Sequence, residues 1–206
     1  MRSQKQLSVF LSKLKTYESP SLKLEQYETP SHIAAEWVWT MALNGEVAGK
    51  TFLDAACGPG ILGIGLLILG AKKVYFVDKD EKIIQTCIEN YNNTKEEYEL
   101  GEAEFIAEDI TLFDQEVDIV IQNPPFGTKT EHIDKVFLEK AFSLSKVVYS
   151  MHKWSTKKFV EAISKDYKYE ITNVWRFNFP LKKVHSFHTK ERKMIDVGLW
   201  RLEENS

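Results

Sequence analysis

A doubly wound α/β fold, with a mostly parallel sheet that ends in an antiparallel hairpin, is what the sequence predicts, on three observations. Short apolar, β-rich runs alternate with segments of helical period from Thr51 onward. A glycine-rich turn joins the first run to the first helical segment. The last two runs follow one another with no helix between them, which suits a hairpin rather than a crossover.

Taken in order, SHIAAEWVWTMAL (31–43) has helical spacing through Ile33, Trp37 and Met41, and LEQYETP (24–30) is an extended lead-in to it. TFLDAA (51–56) reads as a strand, ILGIGLLILG (61–70) as a buried helix and VYFVD (74–78) as a second strand. EKIIQTCIENYNN (81–93) is an amphipathic helix with Ile84, Cys87, Ile88 and Tyr91 on one face. AEFIAED (103–109) and DIVIQN (118–123) are strands three and four. A helix over 132–145, a strand over 147–152 and a helix over 155–167 follow, the last with Ser155 as its expected cap. The closing strands are YEITNVWRFNF (169–179) and MIDVGLWRL (194–202).

A chain of 206 residues fits one domain with a full core. Its 43% hydrophobic and 28% charged residues exclude disordered, collagenous and fibrous classes. A net charge of −3 gives no global attraction to nucleic acid, so any such contact has to be local. The local candidate is KKVHSFHTKERK (182–193), which charge alone favours as a solvated loop. Cys57 and Cys87 form no CxxC pattern, and His185 and His188 have no cysteine or carboxylate partner beside them, so no metal site is expected. The longest apolar run is too short for a membrane span, and the N-terminus lacks a signal peptide's apolar centre. The expected location is cytoplasmic.

LDAACGPGILG places Gly58, Gly60 and Gly63 directly after a strand and into a helix, with Asp78 at the tip of the next strand. Glycines let the backbone turn sharply and lie close to a ligand, while a strand-end carboxylate accepts from ribose hydroxyls. A nucleoside-containing cofactor follows, either a dinucleotide or S-adenosyl-L-methionine. Asp54, four positions before Gly58, opposes a phosphate but suits the ammonium and sulfonium of the latter. Asp109 is expected at the end of strand three, within reach of an exocyclic amine, so three carboxylates share the edge where open α/β sheets bind ligands.

Strand four runs into Asn123, Pro124, Pro125 and Phe126. Each proline fixes φ and removes a donor, leaving a stiff corner rich in acceptors. An amine conjugated to a flat ring needs such acceptors, and Phe126 offers a surface for stacking.

NPPF resembles the catalytic motif of class I S-adenosylmethionine-dependent methyltransferases that modify amino groups of planar systems. Together with LEQYETPSHIAA, DAACGPGILGIG, VVYSMHK and the closing HSFHTKERKMIDVGLWRL, the chain resembles the methyltransferase-like-five family of ribosomal RNA adenine-N6 methyltransferases and its archaeal relatives. The resemblance runs over nearly the whole chain and implies a Rossmann-like class I fold, with 1–50 a helical cofactor-lid extension and 51–206 the catalytic core. It implies that Gln26 and Thr29 close over S-adenosyl-L-methionine, that Ala56, Pro59 and Ile61 line it beside Gly58 and Gly60, that Asp78 holds its ribose, and that Asp109 and Ile110 flank its adenine. Asn123 to Phe126 are then the catalytic corner. His152, Lys153, Lys182, Lys183, His188, Lys190, Arg192 and Lys193 become RNA contacts. One departure is Ala56, where the family's turn has a glycine. Small-subunit ribosomal RNA is the implied substrate, and a small zinc-containing activator protein at a sheet edge an implied partner. Methylation of a protein glutamine or of DNA adenine remains an alternative from the motif alone. A nicotinamide-dependent oxidoreductase shares the glycine turn but has no need of NPPF.

Overall fold

The structure, a computed structural model, describes residues 1–18, 26–126, 132–181 and 193–205. Seven strands form one sheet: β1 (Thr51–Ala55), β2 (Lys73–Asp78), β3 (Glu102–Ala107), β4 (Ile119–Gln122), β5 (Val147–Lys153), β6 (Tyr169–Leu181) and β7 (Lys193–Glu204). Their order is β3-β2-β1-β4-β5-β7-β6. The first five are parallel to one another, and β7 runs antiparallel between β5 and β6. The expected closing hairpin is therefore present, but its second strand lies inside the first.

Among the described residues there are six α-helices: α1 (Gln4–Leu11), α2 (Ser31–Leu43), α3 (Ile61–Ile68), α4 (Glu81–Lys95), α5 (Ile133–Leu144) and α6 (Lys157–Asp166). The alternation of side chains along the strands separates two cores. Phe52, Ile119, Ile121, Tyr149 and Met151 meet α1 to α4 on one face. Leu53, Val120, Val148, Trp200 and Leu202 meet α5 and α6 on the other. Burial on both faces is why β1 and β4 read as continuous apolar runs.

Helix α1 falls within the expected helical extension over 1–50 but is not singled out there. Its signal is short: Leu7, Phe10 and Leu11 form one buried stripe, and Ser3 caps it by accepting from the Gln6 N–H while the Gln6 side chain accepts from the Arg2 N–H. Ser155 does not cap α6. It lies in a 3-10 turn, Trp154–Thr156, whose last residue occupies the cap position with its hydroxyl turned back to the Lys153 carbonyl. Strand β3 stops at Ala107, so Asp109 is not a strand residue but the cap of a 3-10 turn, Ile110–Leu112.

Candidate functional site

The carboxyl ends of β1, β2 and β4 open onto a cleft. Its floor is the turn between β1 and α3, where Ala56, Gly58 and Gly60 all have positive φ, at 56°, 54° and 87°. At Gly60, the residue before α3, a Cβ would lie 2.4 Å from Cys87 Sγ, so only glycine allows α4 to pack this close. At Ala56, where the resemblance leads one to expect glycine, the left-handed conformation is strained by about 1–2 kcal/mol. The turn is held open by backbone bonds, Cys57 N–H to Val77 O at 3.1 Å and Gly60 N–H to Cys57 O at 3.0 Å.

Asp78 accepts from the Gly58 N–H at 3.0 Å and from the Asp80 N–H at 3.0 Å, which fixes its carboxylate at the cleft wall. Burial raises its pKa, partly offset by those two bonds. Asp54 behaves otherwise than the expected cofactor contact. It is 1% exposed, lies beneath the turn and accepts from the Gly63 N–H at 2.9 Å, and it is absent from the cleft lining. Burial pushes its pKa up to about 7, with the Gly63 hydrogen bond opposing. Gly58 and Gly60 likewise shape the turn without lining the cleft, while Ala56, Pro59 and Ile61 do line it. Asp109 and Ile110 stand on the opposite wall. Asp109 is held below the usual carboxylate range by the Thr111 N–H and hydroxyl.

Two residues here carried no signal in the reading of the sequence. Tyr17 lines the cleft and lies against Gly58, with its hydroxyl 2.4 Å from where a Cβ would be. Asn90 is 1% exposed and ties three segments together. Its amide donates to the carbonyls of Lys15 and Pro59, both at 2.9 Å, and its oxygen accepts from the Lys15 N–H at 2.8 Å. Neither pairing has a local pattern, because the partners are far apart in the chain.

The lead-in before α2 covers the cleft from above. Gln26 donates to Asp80 at 2.8 Å, and Thr29, 6% exposed, accepts from the Asn123 side-chain amide at 2.9 Å. That bond turns the other end of the Asn123 amide away, and its Oδ1 is buried with no hydrogen-bond partner among the described residues. Pro124 and Pro125 continue the wall. Phe126 is 6% exposed and does not line the cleft. Tyr27 stacks on it at 5.9 Å and 20°, Phe179 meets it edge-on at 6.4 Å, and Lys153 Nζ sits 5.8 Å from its centroid. The surface expected to await a flat ring is thus covered by Tyr27.

His152 is not the surface contact expected of it. It is 1% exposed, with Nε2 2.7 Å from Ser150 Oγ and its ring edge-on to Trp200, and burial lowers its pKa to about 3. Lys182, Lys183, His188, Lys190 and Arg192 lie outside the described residues, as do the side-chain positions of Lys193. No group of three or more histidine, cysteine or carboxylate side chains that could hold a metal exists among the described residues.

The chain matches the family described as Conserved hypothetical protein 95 over residues 36–173. It is 32% identical, over 99% of its length, to an uncharacterized protein of Methanocaldococcus jannaschii, 95% of which is covered. It is 31% identical, over 96% of its length, to the rRNA N(6)-adenosine-methyltransferase METTL5 of Danio rerio, 97% of which is covered. A crystal structure from Pyrococcus horikoshii, whose description proposes an RNA methyltransferase, superimposes with a TM-score of 0.89 at 36% identity over 99% of this chain and 98% of that one. A glycine turn beneath a strand-end carboxylate, an Asn-Pro-Pro-Phe corner beside it and relatives aligned from end to end converge: the chain belongs to the Conserved hypothetical protein 95 family and to the methyltransferase-like-five branch of the class I methyltransferases.

Proposed function

We propose that this protein methylates N6 of an adenine in RNA, most specifically in small-subunit ribosomal RNA, with S-adenosyl-L-methionine as donor. The observation that carries the reading is the Asn123 oxygen, an acceptor buried at the cleft without a partner among the described residues, with Thr29 holding the other end of the amide. A native fold leaves few buried polar atoms unpaired, and one beside a double proline is explained when a substrate supplies the missing donor.

The cleft fits the donor. Asp78 uses one lone pair on each oxygen for the backbone and keeps capacity for ribose hydroxyls. Ala56, Pro59 and Ile61 form an apolar wall, and Asp109 and Ile110 flank the space for a purine. Gln26 and Thr29 close it from above. Asp54 acts from beneath by holding the turn through the Gly63 N–H rather than as a contact. Bound in this cleft, S-adenosyl-L-methionine supplies a methyl group on positively charged sulfur, with a neutral thioether as leaving group.

Asn123 Oδ1 and the Pro124 carbonyl then accept from the two amine hydrogens of adenine. Those bonds draw the nitrogen lone pair out of the ring and favour a tetrahedral nitrogen able to attack in line. They also stabilise the positive charge that builds there. Positioning is the larger contribution, up to roughly 7–11 kcal/mol in favourable cases. Phe126 supports the ring once Tyr27 yields its place, and Lys153 beside it meets the RNA backbone.

METTL5 of Danio rerio, as its name states, acts on adenosine N6 in rRNA, and near-full-length similarity supports the same substrate class here. The basic segment 182–193 adds phosphate contacts in this reading. β3 is the outer strand of the sheet on its side, and we propose it as the place where a small zinc-containing activator adds a strand. No helix among the described residues is long and apolar enough to cross a membrane, in keeping with a proposed cytoplasmic site of action. The test is incubation with labelled S-adenosyl-L-methionine and small-subunit rRNA, followed by nucleoside analysis. Label in N6-methyladenosine is expected; label in protein glutamine or in DNA instead would overturn the assignment.

A further inference from the structure

The chain leaving α1 is clasped to the glycine turn that floors the cleft. Asn90 of α4 donates to the carbonyls of Lys15 and Pro59 and accepts from the Lys15 N–H, so the backbone is held from both sides just before Tyr17. Two residues past that clasp, the Tyr17 side chain enters the cleft between the turn and the acidic end of β2. Its hydroxyl lies against Gly58, in space that a Cβ at position 58 would need.

Packing accounts for the ring but not for the hydroxyl. A tyrosine hydroxyl inside a protein ordinarily finds a hydrogen-bond partner, and among the described residues the Tyr17 hydroxyl forms no hydrogen bond. Burial, followed by the nearby Asp78 carboxylate, pushes its pKa well above the usual phenol range, so it stays a neutral O–H. The nearby Asp78 accepts from the Gly58 and Asp80 N–H groups and keeps a lone pair on each oxygen. A carboxylate can only accept. A sugar diol that gives both its hydrogens to Asp78 is therefore left with hydroxyl oxygens that lack a donor, and a neutral phenol beside the carboxylate supplies one. An ammonium, the other polar group suited to Asp78, has no acceptor for the phenol.

We infer that Tyr17 is a further cofactor-binding residue, whose hydroxyl donates to a ribose hydroxyl of S-adenosyl-L-methionine held by Asp78. The inference rests on the reading of this cleft as the S-adenosyl-L-methionine site and adds to it a contact from the N-terminal segment. Glycine at position 58 then serves the site twice, once through its N–H to Asp78 and once by leaving room for the tyrosine.

The test is isothermal titration calorimetry on the full chain with Tyr17→Phe, which keeps the ring and its packing and removes only the hydroxyl. Three ligands are titrated: S-adenosyl-L-methionine, S-adenosyl-L-homocysteine, and methylthioadenosine, which keeps the ribose and adenine but lacks the aminoacyl chain. Kd should rise roughly 2- to 10-fold for all three, the range for one neutral hydrogen bond. In methyl transfer, KM for the donor should rise by a similar factor, with kcat at saturating donor and KM for RNA unchanged. The melting temperature of the cofactor-free variant should match that of the wild type, because no bond within the protein is lost. Unchanged affinity for all three ligands, or a loss confined to the two that carry the aminoacyl chain, would overturn the ribose contact. A wild type that binds none of the three defeats the reading of the cleft itself, whereas a wild type that binds them and a Tyr17→Phe variant of equal affinity defeat only this contact.

Discussion

Replacing Asn123 by Ala should separate activity from stability, and the structure sets the scale of both. The Asn123 amide makes one neutral hydrogen bond, to Thr29, worth roughly 0.5–1.5 kcal/mol. Its oxygen is buried and unpaired, which costs roughly 1–3 kcal/mol in the resting protein. Alanine removes both, so the two effects oppose each other, and unfolding free energy should change by between about 0.5 kcal/mol of loss and about 2.5 kcal/mol of gain. In the transition state the same oxygen faces an amine that is gaining positive charge. A hydrogen bond of that kind is worth roughly 1.5–3 kcal/mol, so kcat should fall roughly 10- to 150-fold, and further where the amine's alignment is lost as well. Asn123→Asp keeps an acceptor and should retain more activity than Asn123→Ala. Thr29→Val keeps the shape but removes the bond that turns the amide, and should lower kcat roughly 2- to 10-fold. The assay is single-turnover methyl transfer to the RNA substrate, beside urea denaturation and calorimetric binding of S-adenosyl-L-methionine. Near-normal turnover in Asn123→Ala, or a loss of activity that merely tracks a loss of several kcal/mol in stability, would refute the reasoning.

Other expectations follow from the same geometry. Ala56→Gly should stabilise the protein by about 0.5–1 kcal/mol, because the left-handed φ of 56° is strained for alanine and not for glycine; urea denaturation reads it. Gly63→Ala should destabilise by about 1–3 kcal/mol, since the added Cβ would sit 2.3 Å from the Phe76 ring, and the melting temperature checks it. Asp54 and His152 should give opposite pH dependences. The Asp54 pKa is raised from 3.8 to about 7, so its contribution to stability is fully present below about pH 4 and is lost as pH rises toward 7. The His152 pKa is lowered from 6.5 to about 3, so its contribution is present above 6.5 and is lost as pH falls. Without cofactor, Asp54→Asn should therefore gain on the wild type by up to about 1.4 kcal/mol per pH unit on going up from pH about 4 to 7, and His152→Gln should gain on it going down from about 6.5. Denaturation series that show parallel pH profiles for variant and wild type would contradict both shifts.

What was legible in the sequence is what depends on near neighbours. Apolar period distinguishes β1 and β4, buried on both faces, from the amphipathic α4, and it was enough for the mostly parallel sheet. Glycine and proline chemistry is equally local, so the turn at Gly58 and Gly60 and the corner at Asn123 to Phe126 could be found in a single string. Even there the limits are physical. Ala56 reads as an ordinary residue until its φ is known, and Asp54 reads as a ligand until β1 and α3 close over it.

Tertiary structure alone decided which side chains meet across long separations. Thr29 orients the Asn123 amide from 94 residues away, Asn90 ties the Lys15 segment to Pro59, and Tyr27 lies over Phe126. His152 and Trp200 come together because β7 runs back between β5 and β6, which turns an expected RNA contact into a neutral core histidine. The same register brings the rings of Tyr149 and Trp175 together, 21° apart at 6.2 Å. Backbone preference and burial pattern are properties of a residue and its immediate neighbours, and composition carries them. The identity of a hydrogen-bond partner depends on which of many compatible registers the whole sheet adopts, and only the folded chain selects one.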